Sequence, residues 1–206
     1  MAEADALVAW LHDRYDCAVA PGLTDAELDA AEAAYGVTFP PLWRAVLRRV
    51  LPVDKEPHPG RPPGWPDWRA GDPAGLRHLV EGPVDGLLFD VEHGDFWWHA
   101  WGRRPPGHDD RLRVAGARLA EVPRLLPVHG NWYVAATDDS PVFSIVQADL
   151  YVPAPTIADL ATGRTQDAVD VADWPIGNVP FWSELHAYAQ LGHYDERFGP
   201  LGQGGL

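Results

Sequence analysis

The sequence predicts an α+β protein, an antiparallel sheet packed by helices in a single domain. Two observations carry this. The first fifty residues hold apolar side chains at helical spacing, and later stretches hold short β-rich runs separated by Gly- and Asn-containing turns. A chain of 206 residues with 46% apolar and 22% charged content is long enough for one domain with a real core. The domain is expected to fill residues 1–200, leaving the glycine-rich 201–206 as a mobile tail.

Helices come first. Leu7, Trp10 and Leu11 place a helix over about residues 4–17, stopped by Pro21-Gly22. Thr24-Asp25-Ala26-Glu27 reads as a capping box, in which the Thr hydroxyl takes a free amide and the Glu reaches back. Leu28, Ala31 and Tyr35 line the second helix, and Gly36 supplies its left-handed stop. Pro40-Pro41 opens a third, with Leu42, Trp43, Val46, Leu47 and Val50 inward, closed by Pro52. The proline-dense stretch 52–66 excludes regular structure, and Trp65 and Trp68 are expected to pin it to the body. A short helix over 76–81 follows.

Residues 86–102 read as a β-hairpin. Leu87, Phe89 and Val91 alternate with Leu88, Asp90 and Glu92, and Gly94 supplies the reversal. On the return strand Phe96, Trp98 and Ala100 oppose Trp97, His99 and Trp101. Indoles beside carboxylates make a recognition surface, so Asp90, Glu92, Asp95, Trp97, Trp98 and Trp101 are the candidate partner-binding residues. A further helix begins with Asp109 or Asp110 as its cap and carries Leu112, Ala115 and Leu119. A second hairpin turns at His129-Gly130-Asn131. Residues 141–147 form a strand, residues 155–160 a short helix and residues 181–190 a late one.

The net charge is −14, with Lys55 the single lysine. Such a chain is repelled by phosphate backbones, which argues against direct nucleic-acid binding; the acidity either draws in a basic protein partner or serves only solubility. No apolar run suggests a membrane span. The acidic start lacks a signal peptide's basic region, and one cysteine, Cys17, fits a reducing cytoplasm.

The blocks Gly22-Leu23-Thr24-Asp25-Ala26-Glu27-Leu28, Tyr35-Gly36-Val37-Thr38-Phe39-Pro40-Pro41-Leu42-Trp43, Trp65-Pro66-Asp67-Trp68-Arg69, Gly86-Leu87-Leu88-Phe89-Asp90-Val91 with Phe96-Trp97-Trp98, and Pro141-Val142-Phe143-Ser144-Ile145-Val146-Gln147-Ala148-Asp149 follow one another in a characteristic order. Together with Pro123-Arg124-Leu125-Leu126-Pro127-Val128-His129-Gly130-Asn131-Trp132-Tyr133 they resemble the Smi1/Knr4, or SUKH, superfamily over about residues 23–160. Leu150-Tyr151-Val152-Pro153-Ala154-Pro155 departs from that family's aromatic-rich final stretch. The resemblance implies an α+β binding protein without catalytic machinery or cofactor. It implies either an immunity protein that neutralises a toxin, often a nuclease, by occlusion, or an intracellular scaffold.

One enzymatic reading stands beside it. Asp90 and Glu92, two apart on a strand, would project from one face beside indoles, an arrangement that can hydrolyse sugars. No Gly-x-Ser-x-Gly, Walker or zinc-like spacing occurs, so no nucleophile, nucleotide or metal site is expected.

Overall fold

The computed structural model describes residues 1–14, 16–56, 62–164 and 179–190. The 201–206 tail and part of the proline-dense loop, 57–61, lie outside the described residues. The fold is α+β, with a two-stranded and a four-stranded antiparallel sheet among helices. No described helix is long and apolar enough to cross a membrane. The chain forms two compact units. The first comprises Met1–Val80, Arg124–Ser144 and Val152–Asn178, the second Glu81–Pro123, Ile145–Tyr151 and Val179–Leu206.

In the first unit α1 (Ala2–Asp13) buries Ala4, Leu7 and Leu11. It ends earlier than its periodicity suggested. Cys17–Pro21 instead forms β1, paired antiparallel with β2 (Val50–Asp54). Strand pairing satisfies the backbone there, so Pro52 sits inside a strand and does not merely close a helix. The capping box of α2 (Asp25–Tyr35) is complete. Glu27 N–H donates to Thr24 Oγ1 at 3.2 Å and Thr24 N–H to Glu27 Oε2 at 2.7 Å. Gly36 ends α2 at φ 63°. Pro41 starts α3 (Pro41–Leu47), which buries Trp43, Val46 and Leu47. Trp65 and Trp68 are buried and pin the proline-dense loop as expected, and Asp54 accepts the Gly64 and Trp65 amides at 2.9 and 2.8 Å. These elements share a core with Leu126, Val128, Val134, Val142 and Ile157.

The four-stranded sheet runs β3 (Leu126–His129), β4 (Trp132–Val134), β5 (Val142–Val146) and β6 (Asp149–Ala154) in sequence order. β6 occupies most of the stretch Leu150-Tyr151-Val152-Pro153-Ala154-Pro155. Gln147, at φ 58°, lies in the two-residue turn that joins β5 to β6.

The largest correction concerns residues 73–102. One helix, α4 (Pro73–His93), replaces the expected short helix and the outgoing strand of the hairpin. Leu76, Leu79, Val80, Pro83, Leu87 and Val91 are its buried residues, a three-and-four spacing that outweighs the local alternation of 87, 89 and 91. The expected return strand is an irregular segment ending in a 3₁₀ turn, η1 (His99–Trp101). α5 (His108–Leu119) forms where expected, but Gly107 is its N-cap and Asp109 and Asp110 lie in its first turn without capping it. α6 (Asp159–Thr162) and α7 (Trp182–Gln190) complete the order.

Candidate functional site

The helix disperses the surface that the hairpin would have gathered. Residues two apart on a helix point about 200° from each other, so Asp90 and Glu92 do not form a pair. Asp90 faces the β5–β6 turn, where the Ala148 N–H donates to its Oδ2 at 2.7 Å. Burial pushes its carboxyl above the ordinary carboxylate range, opposed by that hydrogen bond. Glu92 is exposed and lies 3.7 Å from both His93 and His108. Asp95 accepts from Arg104 at 3.0 Å.

The expected anchors are interior. Trp98 is 3% exposed and Trp101 8%; Trp97 is half-buried with its Nε1–H donating to the Gly102 carbonyl at 2.7 Å. Trp98 meets Phe181 and Tyr188 edge-on, with centroids 5.5 and 5.7 Å away. Trp101 meets Phe96 and Trp97 in the same way and stacks on Phe181. Trp182 packs on Phe181 and donates its Nε1–H to the Pro123 carbonyl at 2.8 Å. These rings are the core of the second unit, so Trp98 and Trp101 have no face to offer a partner in this conformation.

A second aromatic cluster, in the first unit, had no sequence signature. The guanidinium carbon of Arg14 lies 4.8 Å from the Trp10 ring, 5.5 Å from Trp65 and 5.9 Å from Trp132. Arg14 is held bidentate by Asp16, with Nε and Nη2 at 3.1 and 3.2 Å from the two oxygens. Asp16 Oδ2 is also 3.1 Å from His129 Nε2, and the His129 ring lies against Trp65 at 4.3 Å. Burial works to raise the Asp16 carboxyl, but Arg14 and His129 outweigh it and hold it below its ordinary range. Burial, with Arg14, lowers His129 despite Asp16. Trp10 comes from α1 and Arg14 from its C-cap, Asp16 from the link to β1, and His129 and Trp132 from the β3–β4 hairpin. Separations of more than a hundred residues hid this cluster.

Other reactive groups are absorbed. Cys17 is buried, and burial pushes its thiol up, the opposite of an activated nucleophile. Among the described residues no group of three His, Cys, Asp or Glu could hold a metal ion.

The exposed surface differs between the units. Around α2, Asp25, Asp29 and Glu32 are answered by Arg44, Asp25 also by Arg48, and Glu27 by Arg69. The Arg69 and Thr24 hydrogen bonds hold Glu27 down to about 2. In the second unit, exposed acids lie beside exposed apolar side chains. Phe89 is 48% exposed, Val146 56% and Tyr151 43%. Glu81, Asp85, Phe89 and Glu92 are all exposed, and their spacing of four, four and three puts them within about 80° of one face of α4. No lysine or arginine occurs between Arg77 and Arg103, or between Arg124 and Arg164.

No family model, curated protein or solved structure matches this chain.

Proposed function

We propose that the protein is a non-catalytic binding protein that neutralises a basic protein, a toxin such as a nuclease, by covering the surface the toxin needs. The observation that carries this reading is the acid-flanked apolar strip of the second unit, where large apolar side chains stand in water beside carboxylates on a chain of charge −14. A protein surface of that kind attracts a positively charged partner over distance and grips it by burial on contact. The SUKH resemblance supports the immunity reading within that class. The indole anchors are replaced in it by Phe89, Val146 and Tyr151.

Co-expression with the product of the reading frame beside its own gene tests the proposal. Growth protection together with co-purification of that product is the expected result. Co-purification without protection would favour the scaffold reading, and neither outcome would remove both.

A further inference from the structure

We propose that α7 is a cover over the aromatic core of the second unit that acid releases, with His186 as the group on which the acid acts. Three observations meet at this helix. The first is what it covers. Phe181, at its entry, meets Trp98 edge-on at 5.5 Å and stacks on Trp101 at 6.5 Å, while Tyr188 meets Trp98 from the other end at 5.7 Å. These rings travel with α7, so its departure bares Trp98 and opens one face of Trp101. The second is strain. Phe181 holds φ 69°, a left-handed conformation that a bulky aromatic residue rarely adopts. A tight entry turn keeps it there: Val179 N–H donates to Ser183 Oγ and Ser183 N–H to the Val179 carbonyl, both at 2.9 Å. Leaving the seat frees Phe181 to relax.

The third is His186, 5% exposed on the face of α7 that also carries Trp182 and Leu185. Ser140 and His186 are the buried polar side chains among the described residues. Ser140 makes two hydrogen bonds, whereas His186 makes none among those residues. The charged and titratable groups of the segments packed on α7 are engaged elsewhere. His99 is exposed and stacks on Tyr188, Glu121 pairs with Arg118, and Arg124 donates to the Tyr35 carbonyl. Glu184, on α7 itself, is exposed. Burial alone holds the His186 ring below the ordinary histidine range. A neutral imidazole suits this seat; an imidazolium in it would be a buried charge without a counter-ion. Water solvates that charge, so the undocked helix takes the proton first. Docking is therefore complete above about pH 6.5 and is lost progressively as pH falls below it.

Backbone hydrogen exchange on the full chain, corrected for the intrinsic pH dependence of exchange, tests this. Protection of residues 182–188 is expected to fall by about eightfold between pH 7 and pH 5.5, the most that one proton can produce over that interval. Protection of residues 87–91 in α4, in the same unit, should fall less. His186→Gln and His186→Leu should both flatten the α7 response, whatever each does to overall stability. His99→Gln and His129→Gln should leave it in place. Flat protection of α7 in wild type would overturn the inference, as would equal losses in α7 and α4. So would a response that survives both His186 substitutions or is removed by either control.

Discussion

The molecule uses tryptophan in two opposite ways. In the second unit Trp98, Trp101 and Trp182 meet other aromatic rings edge-on or stacked and build an apolar core. In the first unit Trp10, Trp65 and Trp132 surround a guanidinium whose charge is matched by Asp16, which also meets His129. One cluster is stabilised by burial, the other by burial of Trp65 together with a chain of polar contacts around Arg14. The difference teaches that indoles next to acids in sequence do not announce a binding surface. In the second unit the indoles go inside and the acids remain outside, with Phe89, Val146 and Tyr151 as the apolar groups left in water.

The contrast breaks most sharply under truncation. Trp98→Ala or Trp182→Ala removes a ring from a packed core and should cost about 3–5 kcal/mol, read as a fall in the urea midpoint. Trp10→Ala, at a half-buried ring, should cost less than half as much. Equal losses would mean that both clusters are cores of the same kind.

A smaller effect tests the polar chain. Asp16→Ala leaves Arg14 and His129 without their shared acceptor and should cost about 1–3 kcal/mol. Losing Arg14's charge partner should also loosen the Trp10 and Trp65 environment, visible as a shift in tryptophan emission. No change in either signal would show that the indoles alone hold this corner.

The early helices were legible because their signals are local. The Thr24–Glu27 box, Gly36 and Pro41 each act within a few residues, and each sits where the sequence put it. Trp65 and Trp68 were also legible, since large rings in a proline-dense loop need burial. Residues 86–93 were not, because Leu87 and Val91 fit both a period of two and a helical spacing. Only the upstream run of Leu76, Leu79, Val80 and Pro83 decides between them, and Pro83 and Gly86 argue locally against a helix. Gly86 is instead required by the close approach of the Gln147 backbone. The candidate site failed with the hairpin that was to assemble it. Its acids Glu92 and Asp95 remain at the surface, whereas Trp98 and Trp101 do not.

Acid acts on both units by titration. Folding holds His129 and His186 below the ordinary histidine range, mainly through burial. Below about pH 6.5 the unfolded chain binds protons that the native chain refuses, so stability falls as pH drops toward the folded values. Asp16, also lowered, extends the loss as pH falls further through the acid range. His129→Gln should flatten the pH dependence of the urea midpoint between pH 7 and pH 5, whatever its effect on the midpoint itself. An unchanged slope would place the titration elsewhere. The smallest effect belongs to Trp97→Ala, which loses a half-buried ring and one hydrogen bond and should leave partner binding unaltered.

The central claim is that negative charge on the α4 strip draws in a basic partner, with Phe89 as its apolar grip. The most direct measurement is the association rate of the co-purifying partner across ionic strength, for wild type and for Glu81→Gln and Glu92→Gln combined. The account predicts a rate that falls steeply with salt in wild type and a markedly shallower dependence in the variant. The same slope in both proteins would contradict it.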